Sequence, residues 1–194
     1  MTTILALDIS THMGWCFGSD STDIPTFGTV HFGTDEASHA ARGAACLRWC
    51  VSEFRSHPPD ILPIESMLPV QAFGRKNHAS AALQFGYHLI VRAVAFECGI
   101  YNIQEHSVSD VRGVCLGYRN LKREVAKPAV IKRCHQLGIS VADDNQGDAC
   151  LLWLYQCSLI NKRKVFDRLA TCGIVTITNY KKSIGPKLSK KLRM

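Results

Sequence analysis

Two short apolar runs that each carry an acid constrain this chain more than any other feature. Residues 3–9 read TILALDI and residues 61–65 read ILPIE. Near-continuous aliphatic residues mark a strand buried on both faces, as in a sheet covered by helices on either side. A carboxylate in such a strand is costly to bury unless it has a partner or a task. Asp8 and Glu65 therefore stand out from the start.

The remaining pattern completes an α/β chain. Trp15–Gly18 and the glycine-bounded GTVHFG at 28–33 are expected as strands, and their short links make the first three strands antiparallel neighbours. A helix is expected from Glu36 to about Arg55, stopped by His57-Pro58-Pro59. Pro63 suits an edge or a bulge better than a central ladder. The longest helical pattern runs from Ala79 to Gly99, with Gly86 inside it as a sign of close packing. Tyr101–Glu105 forms a fifth strand, and Ser107 with Asp110 opens a short helix that ends near Gly117. A helix reaching Leu137 follows the polar, basic stretch 118–127. A further helix is capped within Asp143-Asp144-Asn145 and has CLLWLYQCSLI as its buried body. The 174–178 segment could add one strand. The expectation is a mixed five-stranded sheet flanked by helices.

With 194 residues the chain can bury the core of one domain. Residues 1–160 are expected to form it, with 161–180 as an extension and 181–194 as a disordered tail. Net charge is +7, yet residues 1–180 carry 17 basic against 16 acidic side chains. The excess sits in the tail, where Lys181, Lys182, Lys187, Lys190, Lys191 and Arg193 meet no acid. A basic arm of this kind suits an anionic polymer. No apolar run is long enough to span a membrane and no basic-then-apolar leader is visible, so a cytoplasmic protein is expected. Nine cysteines include no CxxC pair and no finger-like spacing with histidine. They are expected as reduced, buried thiols packing like small hydrophobes.

Acids recur in a third place, Asp143, Asp144 and Asp148. Asp144 and Asp148 are four residues apart and share a helix face. Alone, Asp8 could cap a turn, Glu65 could be solvated and Asp144 could be an ordinary cap. Gathered together, these carboxylates repel unless a hard divalent cation such as Mg²⁺ or Mn²⁺ holds them. With two ions about 4 Å apart, such a site hydrolyses phosphodiesters.

The segments LALDISTHMGWC (5–16), PIESMLPVQAFGRKNHASAALQFGYH (63–88), EVAKPAVIKRCHQLG (124–138) and DDNQGDACLLWLY (143–155) resemble the RuvC-type Holliday junction resolvases, in particular their small phage branch. The resemblance spans residues 3–160. It implies an RNase H-like fold, a homodimer and two Mg²⁺ ions per site, with Mn²⁺ able to substitute. Four carboxylates would hold them: Asp8, Glu65, Asp148 and a fourth acid. The bacterial pattern puts that acid three residues before the last, where this chain has Asn145. Asp144, one turn back on the same face, is the expected replacement, with the Asn145 amide oxygen as the alternative and Asp143 left to solvent.

Lys127 resembles the family lysine near the scissile phosphate, at a helix N-terminus. Phe73 resembles an aromatic that stacks on a distorted base. Arg75, Lys76, Ser80, Lys122, Arg123 and Lys127, with the tail lysines, are the expected DNA contacts. The implied activity is resolution of four-way junctions by paired nicks that leave 5′-phosphate and 3′-hydroxyl ends. Two alternatives are a broader fork and flap endonuclease and an inactive branched-DNA-binding protein. The LDIST segment also resembles the first phosphate loop of actin-like ATPases and sugar kinases. Those need a second domain and a second glycine-rich loop, which this chain lacks.

Overall fold

The computed structural model describes residues 1–34, 36–67 and 78–171. Its elements are β1 (Thr3–Asp8), β2 (His12–Ser19), β3 (Thr26–His31), α1 (His39–Ser56), β4 (Leu62–Glu65), α2 (His78–Glu97), β5 (Ile103–His106), α3 (Val108–Cys115), α4 (Arg123–Gln136), α5 (Asp144–Ile160) and α6 (Lys162–Thr171). They form one five-stranded sheet in the order β3-β2-β1-β4-β5. The first three strands are an antiparallel meander, whereas β4 and β5 run parallel to β1. The mixed sheet is as expected. The expected extra strand at 174–178 and the tail lie outside the described residues.

Alternation along the strands divides the interior into two layers. Ile4, Ala6 and Cys16 face α3, α4, α5 and α6. Leu5, Leu7, Ile9 and Met13 face α1 and α2, where Phe32, Phe54 and Tyr87 complete the packing. Both faces are dry, which explains the unbroken apolar character of β1. Seven of the eight cysteines among the described residues are buried free thiols split between the two layers, and Cys98 is partly exposed. Burial pushes the Cys115 thiol up to about 12, so it behaves as an apolar filler.

Three local expectations need correction. Pro63 lies in a central strand, between β1 and β5. It is tolerated because the β1–β4 ladder is broken there: pairing occurs at Ile4↔Ile61 and Leu7↔Ile64, with no pairing between. The first helix begins at His39, not Glu36, because Ser38 supplies the cap by accepting from the Ala41 N–H at 3.2 Å. Gly86 packs against nothing among the described residues, where a Cβ would meet open space. The Ser107 cap was correctly anticipated; its side chain accepts from the Asp110 N–H at 3.1 Å.

Beyond residue 160 the chain turns back rather than leaving the core. α6 buries Val165 and Leu169 against the α5 layer. Arg168 donates to the Leu137 carbonyl at 2.9 Å, and Lys164 donates to the Ser21 carbonyl at 2.6 Å.

Candidate active site

The site grows from the strand register. Asp8 ends β1 and Glu65 ends β4, and Leu7 pairs with Ile64 across these two parallel strands. The acids therefore leave the same end of the sheet side by side. Asp8 shares the parity of Ile4 and Ala6, which face α5. Glu65 shares the parity of Ile61, also in that layer, while Leu62 and Ile64 point the other way. Both carboxylates thus project toward α5.

α5 brings the next two. Its N-terminus can lie close on the sheet because β2 has glycine at position 14. A Cβ there would come 2.0 Å from the Asn145 carbonyl oxygen. Gly147 does the same toward α4, where a Cβ would sit 2.6 Å from Val130 Cγ1. Asp144 and Asp148, one turn apart, are thereby held against the ends of β1 and β4.

Electrostatics confirms the convergence. Burial raises the Asp8 carboxyl well above the ordinary range, and the charges of Glu65, Asp148 and Asp144 raise it further. Glu65 is pushed up to about 7, chiefly by burial and then by Asp148, against the pull of its hydrogen bond with Asp8 and of Arg112. Burial also raises Asp148, while Arg112 and Lys127 oppose it. Burial and neighbouring acids thus make Asp8, Glu65 and Asp148 harder to ionise, as in a cluster that lacks its full complement of positive charge.

Two side chains supply part of that charge. Lys127 pairs with Asp144, and Arg112 Nη2 lies 3.6 Å from Asp148 Oδ1. Lys127 is the fifth residue of α4 rather than its first; Lys122 occupies the N-cap. Arg112 was not anticipated from the sequence. The available signal was a cation in a short helix whose Val111, Gly113 and Cys115 are buried, since a cation so placed needs an anion nearby.

Asp143 is not left to solvent. It is the N-cap of α5, accepting from the Gln146 N–H at 2.8 Å and from the Thr29 hydroxyl at 3.0 Å. It thus ties β3 to α5, and Asp144 is freed from capping. Ser80 is exposed in the first turn of α2, and Lys122 and Arg123 are exposed at the start of α4. Phe73, Arg75, Lys76, Lys181, Lys182, Lys187, Lys190 and Lys191 lie outside the described residues.

Among the described residues, no three His, Cys, Asp or Glu side chains are already drawn together tightly enough to hold an ion. The donor set nevertheless fits a hard divalent cation: it is four carboxylates, of which Asp144 is paired by Lys127 and Asp148 lies near Arg112 instead. Among the described residues, no helix is long and apolar enough to cross a membrane.

The element order and the covered sheet define an RNase H-like fold. Within that class the chain is similar to Thermus thermophilus RuvC solved in complex with Holliday junction substrate, with a TM-score of 0.63 at 13% identity, over 82% of this chain and 96% of that one. A second Thermus thermophilus RuvC structure gives 0.54 at 13% identity, over 81% and 96%. The yeast mitochondrial Holliday junction resolvase Ydc2 gives 0.55 at 12% identity, over 88% and 82%. The resemblance to RuvC-type resolvases thus extends to the fold of nearly the whole chain. No protein-family model matches the sequence, and no curated protein matches it.

Proposed function

We propose that this chain is a metal-dependent, structure-specific DNA endonuclease that resolves four-way junctions by paired nicks. One observation carries the reading: Asp8 and Glu65 project from adjacent parallel strands toward Asp144 and Asp148 on one face of α5, where burial and the neighbouring acids raise the pKa of Asp8 and Glu65. A purely structural cluster would gain nothing from that repulsion. The neighbours' fold, and the junction DNA named with one of them, favour branched DNA as the substrate.

In this reading Asp8 and the acids of α5 would hold one Mg²⁺, and Asp8 with Glu65 would hold a second. When bound, the ions supply an activated water and stabilise the departing 3′-oxygen, with Mn²⁺ able to replace Mg²⁺. The protein's own part is positioning and charge. Asp143, by capping α5, fixes where Asp144 and Asp148 stand. Lys127 and Arg112 sit within the cluster, where they can meet the charge of the scissile phosphate. Ser80, Lys122 and Arg123 contact the backbone of the flanking arms, Phe73 stacks at the crossover, and Arg75, Lys76 and the tail lysines add phosphate contacts.

Residues 1–160 carry the nuclease in this account. Phe85, Leu89 and Phe96 are exposed on α2, the face expected to pair two subunits about a two-fold axis.

The test is cleavage of a synthetic mobile four-way junction beside a flap, a fork, a linear duplex and an RNA–DNA hybrid, with Mg²⁺ and with Mn²⁺. The junction should be cut preferentially, by symmetric nicks that ligase can seal. Asp8→Asn should reduce the rate by roughly three orders of magnitude, the several kcal/mol a metal contributes to the transition state. Full activity in that variant would remove the metal-site reading. Equal cutting of fork, flap and junction would leave a broader branched-DNA endonuclease, and binding without cleavage an inactive one.

A further inference from the structure

Where α2 meets the turn after β1 lies a cavity of about 120 Å³, of whose lining the proposed mechanism uses only Ser80. Among the described residues its polar lining is Ser10, Thr11, Ser80, Gln84 and Tyr87, with no carboxylate and no lysine or arginine. Ser10 is occupied within its own turn, where its hydroxyl donates to the His12 carbonyl at 3.0 Å and accepts from the His12 N–H. Tyr87 is different. Its side chain is 1% exposed, its ring packs on Phe32 with centroids 5.3 Å apart, and its hydroxyl makes no hydrogen bond of good geometry among the described residues. The Thr11 hydroxyl is near enough to influence the phenol without adopting bonding geometry. A buried hydroxyl without a partner costs about 1–3 kcal/mol, so its survival calls for an occupant of the cavity.

The surroundings select that occupant. The lining offers hydroxyl and amide donors, and Ser80 stands in the first turn of a twenty-residue helix whose N-terminus carries partial positive charge. Ser80, Gln84 and Tyr87 fall four and three residues apart, so they form one polar seam on α2 facing the turn. That turn follows Asp8 directly, at the same end of the sheet as the acids. The acids project to the α5 side of that end and the cavity opens on the α2 side, so a strand that crosses the end of the sheet from the acids brings a neighbouring phosphate to it.

We propose that this cavity seats a backbone phosphate of the DNA next to the scissile one, with the Tyr87 and Thr11 hydroxyls as its innermost donors. The proposal rests on the nuclease reading and deepens it: the seat fixes the strand's register over the acids without itself touching the reacting atoms. Tyr87 and Thr11 are therefore positioning residues.

The experiment measures binding of the full chain to a four-way junction in chelator, where no strand is cut. Single methylphosphonate substitutions, which remove one phosphate charge and one acceptor, are walked across the crossover. For the unmodified protein, one position beside the cut site should weaken binding about tenfold. Tyr87→Phe, which removes only the hydroxyl, should weaken binding to unmodified DNA about fivefold and become indifferent to methylphosphonate at that position. Thr11→Val should do the same, and thermal melts of both variants show whether the fold is retained. The unmodified protein's binding profile, kept intact in a folded Tyr87→Phe or Thr11→Val, overturns the seat and leaves a water-filled cavity while the nuclease reading stands. Failure of the unmodified protein to bind any of these DNAs overturns both.

Discussion

The two faces of the sheet are packed by opposite means. On the α1/α2 side, large side chains such as Phe32, Phe54 and Tyr87 keep helix and sheet at an ordinary distance. On the α5 side, Gly14 lets the α5 backbone approach β2 beside the acids and Gly147 admits the Val130 side chain of α4, while the bulkiest side chain, Trp153, lies further along the helix. The first arrangement tolerates small shifts because aliphatic and aromatic contacts are non-directional. The second does not, because it sets where Asp144 and Asp148 stand against the ends of β1 and β4. Close approach at glycine is thus the structural counterpart of the acid cluster. The bulky face supplies stability and the glycine face supplies placement.

The hardest blow to this contrast is Gly14→Ala. The added methyl meets the Asn145 carbonyl at 2.0 Å, and the neighbour is backbone that cannot swing aside. Displacing α5 should cost about 3 kcal/mol, read by denaturant unfolding. Activity should fall further than the loss of folded protein explains, because Asp144 and Asp148 move with the helix. A variant of normal stability and normal cleavage would show that α5 does not depend on this contact.

Next in size is the fourth carboxylate. Asp144→Asn should lower cleavage about 10- to 100-fold, as expected for weakening one ligand set, whereas Asn145→Ala should cost little. Asn145 touches Gly14 through its main chain, which alanine preserves. The reverse ranking would make the Asn145 amide the ligand and Asp144 simply the partner of Lys127.

These residues also show how far the sequence could be read. Asp8, Glu65 and Asp148 were legible because an acid in an apolar strand or beside a buried helix body contradicts its surroundings. The choice between Asp143 and Asp144 was half legible. Two adjacent acids are equally good caps by propensity, and only the tertiary bond from Thr29 shows that Asp143 holds the cap. Arg112 escaped because its partner, Asp148, lies 36 residues away and neither helix announces the other. Gly14 stands one residue ahead of the strand expected at Trp15–Gly18, and nothing local says that a distant helix will press on it. The central position of Pro63 was equally hidden, because it depends on how strands beyond its own segment pair.

A subtler effect is expected from pH. Glu65 titrates at about 7 in the fold against an ordinary value of 4.5, so folding favours its protonated form. Its contribution to stability is therefore full below about 4.5 and is lost as pH rises through 7. In metal-free protein, the melting temperature of the wild type relative to Glu65→Gln should fall across that window, because glutamine does not titrate. Mg²⁺ binding, measured by calorimetry, should strengthen over the same window and release protons below neutrality, since the ion requires ionised ligands. A flat difference in melting temperature would mean that Glu65 does not share the burial and charge of the cluster.

The smallest effect is expected from the opposite face and from a glycine of the opposite kind. Gly86 sits in the middle of α2, without positive φ and with nothing within 4 Å of the place a Cβ would take. Alanine there restricts the unfolded chain and raises helix propensity, so Gly86→Ala should stabilise the monomeric fold by about 0.5–1 kcal/mol. The same glycine lies beside Phe85 and Leu89, on the exposed apolar side of the helix. If two subunits meet there, the methyl will be felt across the interface instead. Melting measured over a range of protein concentrations separates the cases. A gain that does not vary with concentration marks Gly86 as idle, whereas a loss that grows as the protein is concentrated marks it as the contact through which two α2 helices approach. The second outcome would extend the rule of the α5 side, that glycine marks a place of close backbone approach, to the face where the single chain shows no need for it.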